Sequence, residues 1–183
     1  MTNKLSGFLI IASLAWLSAC AAPIPTALPA SSAPAATLPA VPPATCPITL
    51  PAGAAFIPPV PYPATPPANY SGQFWYGTAD LWTLLRVDGT WANLPMNIGG
   101  YSQKLFWWRE GYSSTAEPNP KLTVTGRRLD ASAAPFSAAG ASNATSDLGQ
   151  SMDIGVVIPT AGCWEITGQY NDHKLSFVVW VAP

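Results

Sequence analysis

Side-chain polarity near the C-terminus of this chain alternates with a period of two. Trp164, Ile166, Gly168 and Tyr170 alternate with Glu165, Thr167 and Gln169, and Leu175, Phe177, Val179 and Val181 alternate with Ser176, Val178 and Trp180. Successive side chains of a strand point to opposite faces, so this spacing predicts two strands, and the helical period of 3.6 is excluded. Asn171-Asp172 between them tolerates the left-handed backbone of a tight turn, which makes the pair a β-hairpin. A second turn signal, Asp88-Gly89, is expected to join a strand at 80–87 to one at 90–94. Further strands are expected at 104–110, 122–129 (with Gly126 a candidate bulge) and 152–158. Residues 131–149, rich in Ala, Ser and Gly, read as a long connection able to hold a helical turn. Nowhere does the sequence offer a capped amphipathic helix. Many short strands with turn chemistry between them predict an all-β fold, a two-sheet antiparallel sandwich.

Trp75, Trp82, Trp91, Trp107, Trp108, Trp164 and Trp180 are each large enough to anchor a core or a ligand. In the expected strand 104–110, Leu105 and Trp107 face one way while Phe106 and Trp108 face the other, so the strand is apolar on both sides. Its outer face is therefore either covered by the Pro-rich segment around Phe56 and Tyr62 or left as an aromatic patch. Trp75, Tyr76, Phe106 and Trp108 would form that patch, with Trp108 its exposed member, suited to stacking on a glycan or docking an envelope protein. Arg127 and Arg128 also split between faces, and a structural role is expected for them, against a Trp ring or paired with Asp130 or Glu165.

The N-terminus has the parts of a secretory signal: Lys4, an apolar run from Leu5 through Leu17, and a small-residue exit. The run is short for a membrane span. Leu17-Ser18-Ala19-Cys20 resembles the lipobox of bacterial lipoproteins, which implies that residues 1–19 are removed and that Cys20 is acylated and holds the protein to a membrane. Extracytoplasmic display on a bacterial membrane follows. Between Lys4 and Asp80 no residue is charged, and residues 20–44 are dominated by Pro, Ala, Ser and Thr, a disordered or polyproline-like linker. The folded domain is expected over 45–183 with an extended lead-in. Of the three cysteines, lipidation would use Cys20 and leave Cys46 and Cys163 as a disulfide pair suited to an oxidising compartment.

Three stretches, Phe106-Trp107-Trp108-Arg109, Gly126-Arg127-Arg128-Leu129-Asp130 and Gly162-Cys163-Trp164-Glu165-Ile166-Thr167-Gly168, followed by Leu175-Ser176-Phe177-Val178-Val179-Trp180, resemble a group of uncharacterised bacterial exported proteins and lipoproteins. The resemblance implies an immunoglobulin-like sandwich and no particular activity. The antibody pattern itself is not matched, since Cys46 precedes the strands and Trp164 directly follows Cys163.

Charge excludes one class of partner. Eight basic and nine acidic side chains, 9% of residues charged in all, leave no basic stripe for nucleic acid. His173 is the sole histidine, so no metal site is expected, nor any cofactor. Ser151, Glu165 and His173 follow a hydrolase order, but Asp153 stands where the nucleophile elbow needs glycine and no catalytic set is assigned. Asn143-Ala144-Thr145 fits the glycosylation sequon, which means little in a bacterial lipoprotein. Two readings follow: a tethered binding or structural module, and, as the alternative, a small extracytoplasmic hydrolase using scattered acids and His173.

Overall fold

The computed structural model describes residues 39–53 and 55–183. The signal segment 1–19, Cys20 and most of the 20–44 linker lie outside the described residues. The first sheet runs in the order β1 (Gln73–Thr78), β2 (Leu81–Arg86), β5 (Gly100–Trp108), β9 (Gly149–Ile158) and β8 (Ser142–Ser146), with β4 (Met96–Asn97) also paired to β5. The second runs β3 (Thr90–Trp91), β11 (His173–Val181), β10 (Gly162–Tyr170), β6 (Thr123–Arg128) and β7 (Phe136–Ala138). Every pairing is antiparallel except the short one between β3 and β11. The molecule is thus an all-β, two-sheet sandwich. Asn171 takes the left-handed conformation (φ 52°) in the β10–β11 turn, as its side chain allows.

Several elements depart from the sequence expectation. Asp88-Gly89 does not close a hairpin. The Asp88 carboxylate accepts the Thr90 N–H (3.0 Å), and the Gly89 and Trp91 carbonyls accept from Trp180 and Ala182 (2.9 Å each). Those bonds carry the chain from β2 in the first sheet to the edge of β11 in the second. Residues 131–149 form no helical turn; they contain β7 and β8, edge strands held by β6 and β9. β1 was not anticipated, because Phe74, Trp75 and Tyr76 show no polar alternation. Gly126 is no bulge. It pairs in continuous register with Ile166 on one side and Phe136 on the other, and a Cβ there would overlap the Phe136 ring.

Between the sheets, Leu105 and Trp107 of β5, and Met152, Ile154, Val156 and Ile158 of β9, meet Val124, Trp164, Ile166, Tyr170, Phe177 and Val179. Trp107 spans the gap: a Cβ added to Gly168 of β10 would overlap its six-membered ring. Glycine in mid-strand lacks a packing side chain, and here that absence admits an indole.

Both outer faces carry apolar side chains too, and one segment covers them. Cys46 is bonded to Cys163 with Cα atoms 5.7 Å apart, and with Ile48, Leu129 and Val178 these cysteines bury the outward-facing Trp180. Thr49 then pairs with the free edge of β11, its N–H donating to the Val178 carbonyl and its hydroxyl accepting the Val178 N–H (2.9 Å each). Farther on, Phe56 and Tyr62 lie over Trp82 on the outer face of the first sheet, with ring centroids 5.7 and 5.2 Å away. Residues 46–53 and 55–62 form a strap, its first part on one outer face and its second on the other.

The bridge spans 117 residues, for which the chain-entropy relation gives up to about 4 to 5 kcal/mol. Replacing both Cys46 and Cys163 by Ala is expected to lower unfolding free energy by several kcal/mol, toward that bound, in equilibrium urea titration. Gly168→Val, which drives a side chain into Trp107, should cost about 1 to 3 kcal/mol. Gly155→Val is the control, since open space surrounds that position, and its effect should stay within about 0.5 kcal/mol.

Candidate functional site

Of the two alternatives for the outer face of β5, cover by the segment around Phe56 and Tyr62 is the one found, and the aromatic patch on β1 and β5 is not an open surface. Trp108 is fully buried (0% exposed) and Trp75 nearly so (2%), which corrects the reading of Trp108 as an exposed member. The two indoles meet edge to face at 5.2 Å, and Trp75 Nε1 donates to the Pro63 carbonyl at 3.0 Å. Together with Trp82 and Leu148 they form a closed cluster beneath Phe56, Tyr62 and Tyr70. Phe106 stays half-buried, with the Lys104 ammonium 5.7 Å from its ring centre. Tyr76 is half-buried at the sandwich edge; its hydroxyl donates to the Ser176 carbonyl (3.1 Å). Strand parity places Phe106 and Trp108 on one face, but what lies upon that face is a tertiary matter, and the strap lies there.

Arg127 and Arg128 are engaged by carboxylates. Arg127 Nε donates to Glu165 Oε2 at 2.6 Å across the β6–β10 pair, in solvent. Arg128 donates to both Asp130 oxygens (2.7 and 3.3 Å) and to Thr160 Oγ1 (3.1 Å), lying flat over Gly162, where a Cβ would strike its guanidinium. Ser151, Glu165 and His173 are not brought together. The Ser151 side chain faces outward from the first sheet and Glu165 outward from the second, with the core between them, and His173 Nδ1 sits 3.7 Å from Asp80 Oδ2. Among the described residues no three His, Cys, Asp or Glu side chains converge as metal ligands would.

A polar arrangement that sequence reasoning missed occupies the end of the sandwich opposite the disulfide. β10 begins beside Cys163 and ends at Tyr170, where the loop of residues 109–122 crosses from β5 to β6. Tyr170 donates its hydroxyl to Glu117, whose other oxygen lies 3.3 Å from Arg109 Nη2; the Arg109 guanidinium stacks on the Tyr170 ring at 5.6 Å. Tyr112 donates to Asn143 Oδ1, and Asn143 Nδ2 donates to the Glu117 and Pro118 carbonyls (2.9 and 3.0 Å). Gln150 Oε1 accepts the Ser114 N–H at 2.9 Å. These bonds stitch a crossing loop to both sheets. The signal available in the sequence was only a cluster of Tyr, Glu and Arg in a loop, since its partners lie 25 to 53 positions away.

Burial pushes the Tyr112 hydroxyl up to about 12, and the negative charge of Glu117 adds to it. Tyr170 is raised as well, by burial and then by its bond to Glu117. Both phenols therefore stay neutral donors at physiological pH.

Next to this network is a cleft of about 600 Å³, bounded by the strap turn at Val60 to Pro63, the start of the crossing loop at Glu110 to Ser113, and the β8–β9 turn at Ser146 to Gln150. Its size lies in the range of small-ligand sites. Tyr62 contributes aromatic surface, with the largely buried Tyr112 behind it; Glu110 and Asp147 contribute carboxylates, and Gln150 an amide. Comparison of the chain with protein-family models, with curated proteins and with solved structures gave no match.

A phenol whose pKa is higher in the folded than in the unfolded chain favours folding while it is protonated. Its contribution is complete below pH 10 and is lost as pH rises toward the folded value of about 12. Thermal midpoints measured against pH should fall through that window, and Tyr112→Phe should flatten the fall.

Proposed function

We propose that this protein is a bacterial lipoprotein, acylated at Cys20, that displays an immunoglobulin-like sandwich outside the cytoplasm as a binding or structural module. The observation that carries the reading is the Cys46–Cys163 bond. It uses the remaining two of the three cysteines, belongs to an oxidising compartment, and leaves Cys20 to the lipid. It also anchors the incoming chain at one end of the sandwich, while the cleft opens at the other, the arrangement a display module needs.

Strand order supports the immunoglobulin-like assignment. β2, β5, β9 and β8 stand as A, B, E and D, opposite β11, β10, β6 and β7 as G, F, C and C′. β3 runs parallel to β11, in the place of the short strand that switches sheets. Trp107 on β5 packed over Gly168 on β10 occupies the core between B and F, where antibody domains have a disulfide. The buried aromatic face removes a sugar-stacking platform, so recognition is assigned to the loops and cleft at the end distal to the disulfide. Among the described residues, no arrangement of acids with His173 supports the hydrolase alternative.

Wild-type protein is expected in the membrane fraction, with the mass of a diacylglyceryl group on its N-terminal peptide. Cys20→Ala should move it to the soluble fraction with Cys46 and Cys163 still oxidised. Equal partitioning of the two proteins, with an unmodified Cys20 peptide, would refute acylation.

A further inference from the structure

Of the nine acidic side chains, six lie opposite a cationic or imidazole partner: Asp80 with His173, Asp88 with Arg86, Glu117 with Arg109, Asp130 with Arg128, Asp153 with Lys104 and Glu165 with Arg127. Glu110, Asp147 and Asp172 have no such partner among the described residues. Two of these three line the 600 Å³ cleft, and no Lys, Arg or His lines it. The cleft therefore has an uncompensated negative charge.

Its walls are held in place before any ligand arrives. Tyr62 packs edge-on to Trp82 and its hydroxyl reaches the Gln150 carbonyl at 3.4 Å; Tyr112 is held by Asn143, and the Gln150 side chain by the Ser114 N–H. Asn69 Nδ2 donates to one Asp147 oxygen at 2.7 Å and orients that carboxylate. Val60, almost wholly exposed at the rim, adds apolar surface. Anionic ligands would be repelled. A cation on an aliphatic chain finds what it needs: carboxylates for charge, the partly exposed Tyr62 ring for cation–π contact, and apolar surface for the chain.

We infer that the cleft between the strap turn and the β8–β9 turn is a binding site for an alkylammonium group. The inference rests on the proposed binding module and names the chemistry of its ligand. Free polyamines and lysine side chains of an envelope protein both carry that group.

The test uses full-length acylated protein in non-ionic detergent, with spermidine and acetyl-lysine methylamide as separate probes, and follows the backbone amides of Tyr112 and Gln150 by NMR. Both amides should shift saturably with at least one probe, and the tighter probe identifies the source of the amine. Raising the salt concentration should weaken binding. Glu110→Gln and Asp147→Asn should each weaken it about two- to fivefold, and the double variant about tenfold, with thermal midpoints unchanged. Amine binding that survives the double substitution would overturn the inference, as would maltose or inorganic phosphate shifting the same amides when neither amine does. Failure with Cys20 acylated removes the amine site and leaves the display reading standing. An unacylated Cys20 with amine binding intact does the reverse.

Discussion

β5 has large apolar side chains on both faces, and a two-layer sandwich has only one interior. Leu105 and Trp107 enter that interior, while Phe106 and Trp108 point away from it, beside Trp75 and Trp82. An aromatic side chain buries about 150 to 250 Å², worth roughly 4 to 6 kcal/mol as an upper figure at 25 cal/mol per Å². Left open, the outward cluster would be an apolar patch of the kind that drives association. The chain removes it with a third, partial layer. Residues 46–62 lack charge and are rich in proline; their described parts, 46–53 and 55–62, lie on the two outer faces, fastened by the disulfide at one end and by Tyr62 at the other.

Burying indoles, both in the interior and on the outer faces, has a cost in polar groups. The indole N–H groups of Trp82, Trp107, Trp108 and Trp180, the Ser151 hydroxyl and one Asp153 oxygen are buried without a hydrogen-bond partner. A buried unsatisfied group costs about 1 to 3 kcal/mol, less than the apolar area of an indole returns. Trp75 and Trp164 avoid it by donating to the Pro63 and Thr160 carbonyls. Carbonyls that the strap and the turns leave out of the sheets serve as partners only where an indole reaches them.

The same strap shapes the distal end. Its turn at Val60 to Pro63 forms one wall of the cleft, and the loop stitched by Tyr112, Glu117, Asn143 and Tyr170 adjoins another. Covering the aromatic face and building the cleft are thus two consequences of one segment. The face that sequence suggested for recognition is closed by the segment that opens the alternative.

Much of the sandwich was legible in the residues, and the reason is local. Alternation at 164–181 specifies β10 and β11, because a strand with one buried face must alternate; the apolar residues of β6 and β9 and the cysteine count were readable in the same way. β1 was hidden because both of its faces are covered, so it does not alternate. β7 and β8 were hidden because their Ala, Ser and Asn residues become strands only through the hydrogen bonds that β6 and β9 provide. Asp88-Gly89 carries the composition of a hairpin turn, and only the waiting edge of β11 makes it a crossing between sheets. For the site, sequence determined that the aromatic residues of β5 lie on two faces. Tertiary structure alone decided that the strap covers one of those faces, and that Glu110 and Asp147, 37 positions apart in the chain, line the same cleft. Side-chain parity is a property of the backbone, whereas cover and convergence depend on segments that meet only after folding.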